Sequence, residues 1–294
     1  MRALTDRGRE LAIGETSEQT YRTSMDRMRA RNQVLIGIHV DSGGSPTCFR
    51  RAPDQQPEGF DVALAHELTR RIAVELALPK LEAVLVPSPW PAILEQPARH
   101  TVDFVIASVT ASPERAARHQ LAFTSPYHQA LTTLVYRGLP LPRSFRDGGH
   151  EREELAKYEL GVMAGTTAAA YLDDLGIDPR VVPTLDELAR LLADGEIDGA
   201  VCDSAQSAAF DEPYETLELC AKRQQYALAL APLNRELMRE INRYLAELDA
   251  DVRTVDGREL NWFEREIQAA SDDYVEIRRE ARHVAIRATA ASAA

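Results

Sequence analysis

Cysteine is scarce in this 294-residue chain: Cys48, Cys202 and Cys220 are the only three. An odd number with no CxxC pair argues against a disulfide framework and against a zinc site, and leaves them as buried small hydrophobes. No apolar run is long enough to span a bilayer, and residues 1–32 mix charges throughout. Without a short apolar core after a basic start there is no secretory signal, so the chain as written is expected to be cytoplasmic. A start lying upstream would instead allow a periplasmic or extracellular location. Basic charge is also in short supply. A formal net charge of −12 leaves no broad cationic face for nucleic-acid phosphates or an anionic membrane surface. GxSxG, HExxH, P-loop and dinucleotide fingerprints are all missing. No catalytic residue, cofactor or metal site is therefore assigned.

What is present is a foldable pattern. Hydrophobic residues make up 45% and charged residues 27%, enough to bury one large core or two smaller ones. Residues 1–32 read as a polar helical leader with no core-forming stripe. Val34–Val40 is the first convincing strand, followed by a Gly/Ser/Pro-rich loop from Asp41 to Glu58. Leu64, Leu68, Ile72 and Leu76 recur at steps of four, which predicts an amphipathic helix over Phe60–Leu78. Strands are expected at Leu81–Pro87, Val102–Ser108 and Leu131–Arg137. After the composition break at Leu139–Glu153 the alternation restarts with Glu159–Gly165, Val181–Pro183, Ile197–Asp203 and Tyr226–Pro232. Helices are expected between them, one opening at Thr184 with Glu187 at capping-box spacing. Asp256-Gly257 marks a turn, and the tail from Leu260 reads as helix. Alternation of this kind indicates α/β domains with mainly parallel sheets.

Several segments, in order, resemble the family-3 extracellular solute-binding proteins, the amino-acid-binding components of ABC importers. Val34–Ser42 resembles the family's first strand and ligand loop, and Glu58–Leu68 (EGFDVALAHEL) its Gly-Phe-Asp helix start, with Ala63 in place of the usual acid. Val102–Arg137 contains the hydroxyl-rich turn ending in Pro113-Glu114-Arg115 and the element Phe123-Thr124-Ser125-Pro126-Tyr127. Leu160–Leu172 resembles the Gly-Thr-Thr opening of the second lobe, and Leu192–Ser207 the strand ending in a ligand-facing aspartate. The resemblance covers about residues 34–250. It implies a two-lobed type II periplasmic-binding fold with two hinge crossings and helical extensions at both ends. The implied divisions are a leader over 1–33, lobe 1 over 34–133 and 232–270, lobe 2 over 138–228, and a tail over 271–294. Crossings are expected near Thr133–Arg137 and Tyr226–Leu230.

The resemblance also assigns roles. An α-amino acid needs a fork of donors for its carboxylate and an acceptor for its ammonium. Arg115 is the implied carboxylate partner, because a guanidinium makes two parallel charge-assisted bonds; periodicity by itself favours a solvated arginine in a charged turn. Ser108 and Thr110 sit at the carboxyl end of a strand, where ligands collect in open α/β sheets, or they cap their own turn. Gly165, Thr166 and Thr167 open a helix whose free N–H groups suit an anion, Thr167 being favoured, although simple N-capping explains them too. Met163 offers a backbone carbonyl. Asp203 ends an apolar strand and needs either a protein partner or the ligand's ammonium. Trp90 either stacks on the ligand side chain or caps the domain core. Asp41 either reaches a cationic side chain or is an exposed loop residue. The loop lacks the family's usual aromatic run, for which Phe49 or Cys48 could substitute. The implied function is binding of an amino acid or similar ligand by hinge closure, with an ABC permease as possible partner, or a related sensing role. The alternative is a cyclohexadienyl (prephenate/arogenate) dehydratase-like enzyme. That chemistry needs an acid one helical turn past Asp203, where this chain has Gln206.

Overall fold

The computed structural model describes residues 2–4, 10–12, 23–40, 44–50, 55–141, 151–210, 213–219 and 223–292. A short antiparallel pair, β1 (Arg2–Leu4) and β2 (Glu10–Ala12), precedes α1 (Ser24–Arg31). Then come β3 (Gln33–Ile38), α2 (Phe60–Glu75), β4 (Glu82–Pro87), β5 (Phe104–Ile106), α3 (Pro113–His119) and β6 (Ala122–Phe123). The middle of the chain forms β7 (His128–Ala130), β8 (Thr132–Tyr136), α4 (Glu151–Leu155), β9 (Leu160–Met163), α5 (Thr167–Asp174), β10 (Arg180–Val182), α6 (Leu185–Ala193) and β11 (Gly199–Asp203). It ends with β12 (Glu215–Glu218), β13 (Gln224–Tyr226), β14 (Ala229–Leu230), α7 (Arg235–Asp249), β15 (Arg253–Val255), β16 (Arg258–Leu260) and α8 (Trp262–Ser292).

These strands build two five-stranded sheets, ordered β4-β3-β5-β14-β6 and β10-β9-β11-β8-β12. In each, four strands share one direction and a single strand second from the edge, β14 or β8, runs opposite. Helices cover the sheets because their apolar residues fall on one side. Leu64, Leu68 and Ile72 of α2 and Ile241 and Leu245 of α7 join Ile36 and Phe104 in the first core. Leu188, Leu191 and Leu192 of α6 pack with Val135 and Ala200 in the second. Thr184 does cap α6, its hydroxyl accepting from the Glu187 N–H at 3.2 Å. The Asp256-Gly257 turn has positive φ at both residues, 50° and 77°, the two-residue geometry whose twist matches the flanking strands.

Two short segments, β7 and β13, carry the chain from one sheet to the other and pair antiparallel, Tyr226 against His128. The expected crossing at Thr133–Arg137 lies elsewhere: all of β8 is buried between β11 and β12 inside the second sheet. Its apolar side chains need two covered faces, so the crossing falls to the shorter and more polar segment before it. On the return, β14 is already a strand of the first sheet. The leader differs too. Only Ser24–Arg31 of its described residues is helical, and Met25 and Met28, three apart on one face, are buried in the first core.

A third connection comes from α8. Phe263 and Ala270 belong to the first core, whereas Tyr274 belongs to the second. The Tyr274 hydroxyl donates to Gly44 O at 3.1 Å, its ring lies 5.5 Å from that of Phe49, and Arg278 donates to Ala209 O at 3.2 Å.

Gly59, just before α2, has φ 110°, and a Cβ there would meet Thr47 O at 2.8 Å and Pro46 O at 2.9 Å. Neither carbonyl is free to retreat, because they accept the first helical N–H groups, from Asp61 and Phe60. Gly59→Ala is therefore expected to destabilise the protein by on the order of 1–3 kcal/mol, read as a lower urea midpoint at unchanged m.

Candidate ligand cleft between the lobes

The ends of β5, β9 and β11 converge on a cavity of about 30 Å³ lined from both lobes, by Trp90, Ser108, Thr110 and Arg115 on one side and Met163, Thr166, Thr167 and Asp203 on the other. Trp90, Ser108, Thr110, Arg115, Met163, Thr166, Thr167 and Asp203, all singled out from sequence, therefore meet in one place. Asp41 lies outside the described residues.

Arg115 stands on the first turn of α3, which Ser112 caps, its hydroxyl accepting the Arg115 N–H at 3.1 Å. Its guanidinium donates to Thr110 O at 2.8 Å and reaches across to Gly165 O at 3.3 Å. It also lies over the Trp90 ring, 5.4 Å from the centroid, and the Trp90 indole N–H donates to Ala164 O of the other lobe at 3.0 Å. Burial presses the Arg115 pKa below its ordinary value, and the negative charge of Asp203 opposes this.

Asp203 ends β11 and is 8% exposed. Oδ2 accepts the Tyr226 hydroxyl at 2.7 Å, while Oδ1 is buried without a hydrogen-bond partner. Burial raises its pKa from 3.8 to about 6, against the Tyr226 hydrogen bond and the Arg115 charge. Gln206 is turned back on it, Oε1 accepting the Asp203 N–H at 3.3 Å.

The two threonines divide their work. Thr166 is the N-cap of α5, its hydroxyl accepting from Ala169 N–H at 3.2 Å and donating to Met163 O at 2.7 Å. The Met163 carbonyl is thus engaged by the cap. Thr167 instead points inward and donates to Gln224 Oε1. Gln224, 4% exposed, also accepts the Thr110 hydroxyl at 2.6 Å and donates to Thr132 at 3.0 Å, tying both lobes to the crossing strand. Ser108 adopts φ 50°, and its hydroxyl lies beside that of Tyr127.

Gln224, Tyr226 and His39 escaped the sequence reading. β13 is three residues long, and its buried–exposed–buried alternation is too brief to register as a pattern. Phe49 does not wall the cleft; it is 2% exposed and packs on Tyr274 and the second core. Cys48 instead lines an adjoining void. Cys48 and Cys202 are both buried, and Cys220 lies outside the described residues. Among the described residues no three His, Cys, Asp or Glu side chains converge as a metal ion would require, and no helix is long and apolar enough to cross a membrane.

Comparison with known proteins bears on the fold and the family. The L-cystine-binding protein TcyJ of Escherichia coli K12 is 26% identical over 249 residues, covering 81% of this chain and 85% of its own. The structure of holo ArgBP from T. maritima is 26% identical with a TM-score of 0.62, covering 76% of this chain and 93% of that one. The ancestral amino acid-binding protein AncCDT-1, described as a precursor of cyclohexadienyl dehydratase, shares the fold: TM-score 0.66, 19% identity, 86% and 99% coverage. These neighbours have the type II periplasmic-binding architecture of two lobes on two crossings. The family's extracellular setting gives no support to the cytoplasmic location expected from residues 1–32. With its profile matching residues 36–265, the chain belongs to the bacterial extracellular solute-binding proteins, family 3.

Proposed function

We propose that the cleft binds a single amino acid between its lobes, Arg115 taking the α-carboxylate and Asp203 the α-ammonium. The observation that carries this reading is the placement of these two groups of opposite charge, Asp203 buried and Arg115 half-buried, on opposite lobes of one cavity. Asp203 retains one oxygen without a partner, and a buried carboxylate oxygen calls for a donor. Thr110, Ser108 and the α5 N-terminus with Thr167 complete the carboxylate shell. The Trp90 ring and the Arg115 plane form one wall. Closure about β7 and β13 encloses the ligand, a hinge motion in which the Trp90–Ala164 and Arg115–Gly165 contacts mark the closed form.

The protein then acts outside the cytoplasm as the solute-binding component of an ABC transporter, or as a ligand sensor, and not as an enzyme. Relatives named for cystine and arginine binding support this. Gln206 is an amide that caps the Asp203 N–H, so no acid stands where the dehydratase alternative needs one. A thermal-shift panel of the twenty amino acids and cystine tests the reading, since a ligand of the folded state alone raises the melting point. At least one is expected to do so, with its Kd then measured by calorimetry. No response from any of them, or consumption of prephenate or arogenate, would sink it.

A further inference from the structure

Two aromatic residues carried by the first lobe are buried in the second. Cys48 belongs to the first core, yet its neighbour Phe49 sits in the second with Leu185, Ala209 and Phe210. Tyr274 of α8 joins Phe49 there, and Ile277 packs alongside. A second void of about 30 Å³ lies at the same seam, lined by Gly44 and Cys48 of the loop and by Leu185 and Gln206 of the other lobe.

Neither ring is free to travel with the second lobe. The Phe49 loop is pinned to the first by backbone pairs of Ser45 with Cys48 and of Phe49 with Glu58. Pro46 O and Thr47 O of that loop also hold the start of α2. Tyr274 donates to Gly44 O in the same loop, and Phe263 sets the foot of α8 in the first core. The Phe263 ring lies 6.3 Å from that of Tyr127, next to β7, so α8 starts at the hinge. Tyr274 stands about 16 Å further along at the α-helical rise. Two paired crossing strands leave a rotation free. A third attachment at that distance opposes it, because opening must draw both rings out of an apolar core into water.

The same stretch of α8 reaches the ligand side. Arg278 donates to Ala209 O, the last residue of the helical turn Ser204–Ala209. Asp203 caps that turn, and its Gln206 lines the cleft. Tyr274, Ile277 and Arg278 lie beyond residues 36–265, which match the family, so the family pattern does not supply this contact. We propose that Phe49 and the Tyr274–Arg278 turn of α8 form a latch that holds the lobes closed without ligand, so that ligand entry waits on its release. This rests on the hinge closure proposed for the cleft and not on which ligand binds.

Small-angle X-ray scattering on the full chain without ligand tests the latch. The wild-type curve is expected to match the closed structure described above. Phe49→Ala and Tyr274→Ala should each shift the radius of gyration and the maximum dimension upward while circular dichroism stays native. Ile277→Glu should do the same, and because Ile277 is only half-buried this variant keeps both cores intact if the alanine variants fail to fold. Tyr274→Phe retains the ring, loses only the Gly44 bond and should stay closed. A ligand-free wild-type protein more open than this structure overturns the proposal. So does wild-type scattering from a folded Ile277→Glu variant. No ligand enters the measurement, so its outcome is separate from that of the amino-acid panel.

Discussion

Arg115→Ala and Asp203→Ala are each expected to weaken amino-acid binding by on the order of 2–5 kcal/mol, roughly 30- to several-thousand-fold in Kd. The two groups act on opposite ends of one small zwitterion, so losing either leaves a ligand charge desolvated and unmatched. Arg115→Ala carries a second loss: the guanidinium lies over Trp90 and bridges Thr110 O to Gly165 O, so its removal also loosens contact between the lobes. Asp203→Ala frees the Tyr226 hydroxyl, which now donates to it, whereas Asp203→Asn keeps an acceptor there. Asp203→Asn should therefore fold as well as wild type and still bind poorly. Titration calorimetry on variants with native circular dichroism decides the matter. Near-wild-type affinity in either alanine variant would assign that residue to the scaffold.

The ligand-free protein is expected to lose stability as pH rises from about 6.5 to 8. Asp61 is raised to about 8 in the folded state, so it retains a proton there that the unfolded chain gave up near pH 4. A carboxyl raised in this way favours folding fully below its unfolded pKa, and that contribution disappears as pH climbs through the folded value. Asp203, raised to about 6, adds the same trend at lower pH. There it is opposed by His119 and His128, whose pKa values burial lowers and which favour folding increasingly as pH rises to about 6.5. Above that point Asp61 dominates, with a slope of at most about 1.4 kcal/mol per pH unit, or about 2–4 °C in melting temperature. Asp61→Asn should flatten the curve over this interval. A melting temperature that rises between pH 6.5 and 8, or an unchanged slope in the variant, would contradict a buried protonated Asp61.

Local sequence determined the parts of this protein that depend on neighbours in the chain. The four-residue spacing of Leu64, Leu68 and Ile72 specifies a helix face whatever it packs against, and Thr184 with Glu187 specifies where α6 starts. Val34–Val40 and Val102–Ser108 are apolar runs that only a covered strand can accommodate. Arg115 and Asp203 were legible only through the resemblance of their segments to the family's Pro-Glu-Arg turn and strand-ending aspartate; local pattern alone reads Arg115 as a solvated arginine in a charged turn. Tertiary structure alone decided what depends on residues far apart. Gln224 is ordinary in sequence, yet it gathers Thr110, Thr132 and Thr167, a polar cluster assembled from segments up to 114 residues apart. Asp61 reads as a normal acid in a first helical turn until the loop carbonyls of Pro46 and Thr47 take the N–H groups it might have capped. Met25, Met28, Phe49 and Tyr274 look like an undistinguished leader, loop and tail, and become core only when lobe surfaces are brought to them. Periodicity reports which face of a segment is apolar. It carries no information on which distant face will cover it, and the hinge, the second void and the α8 connection are all consequences of that choice.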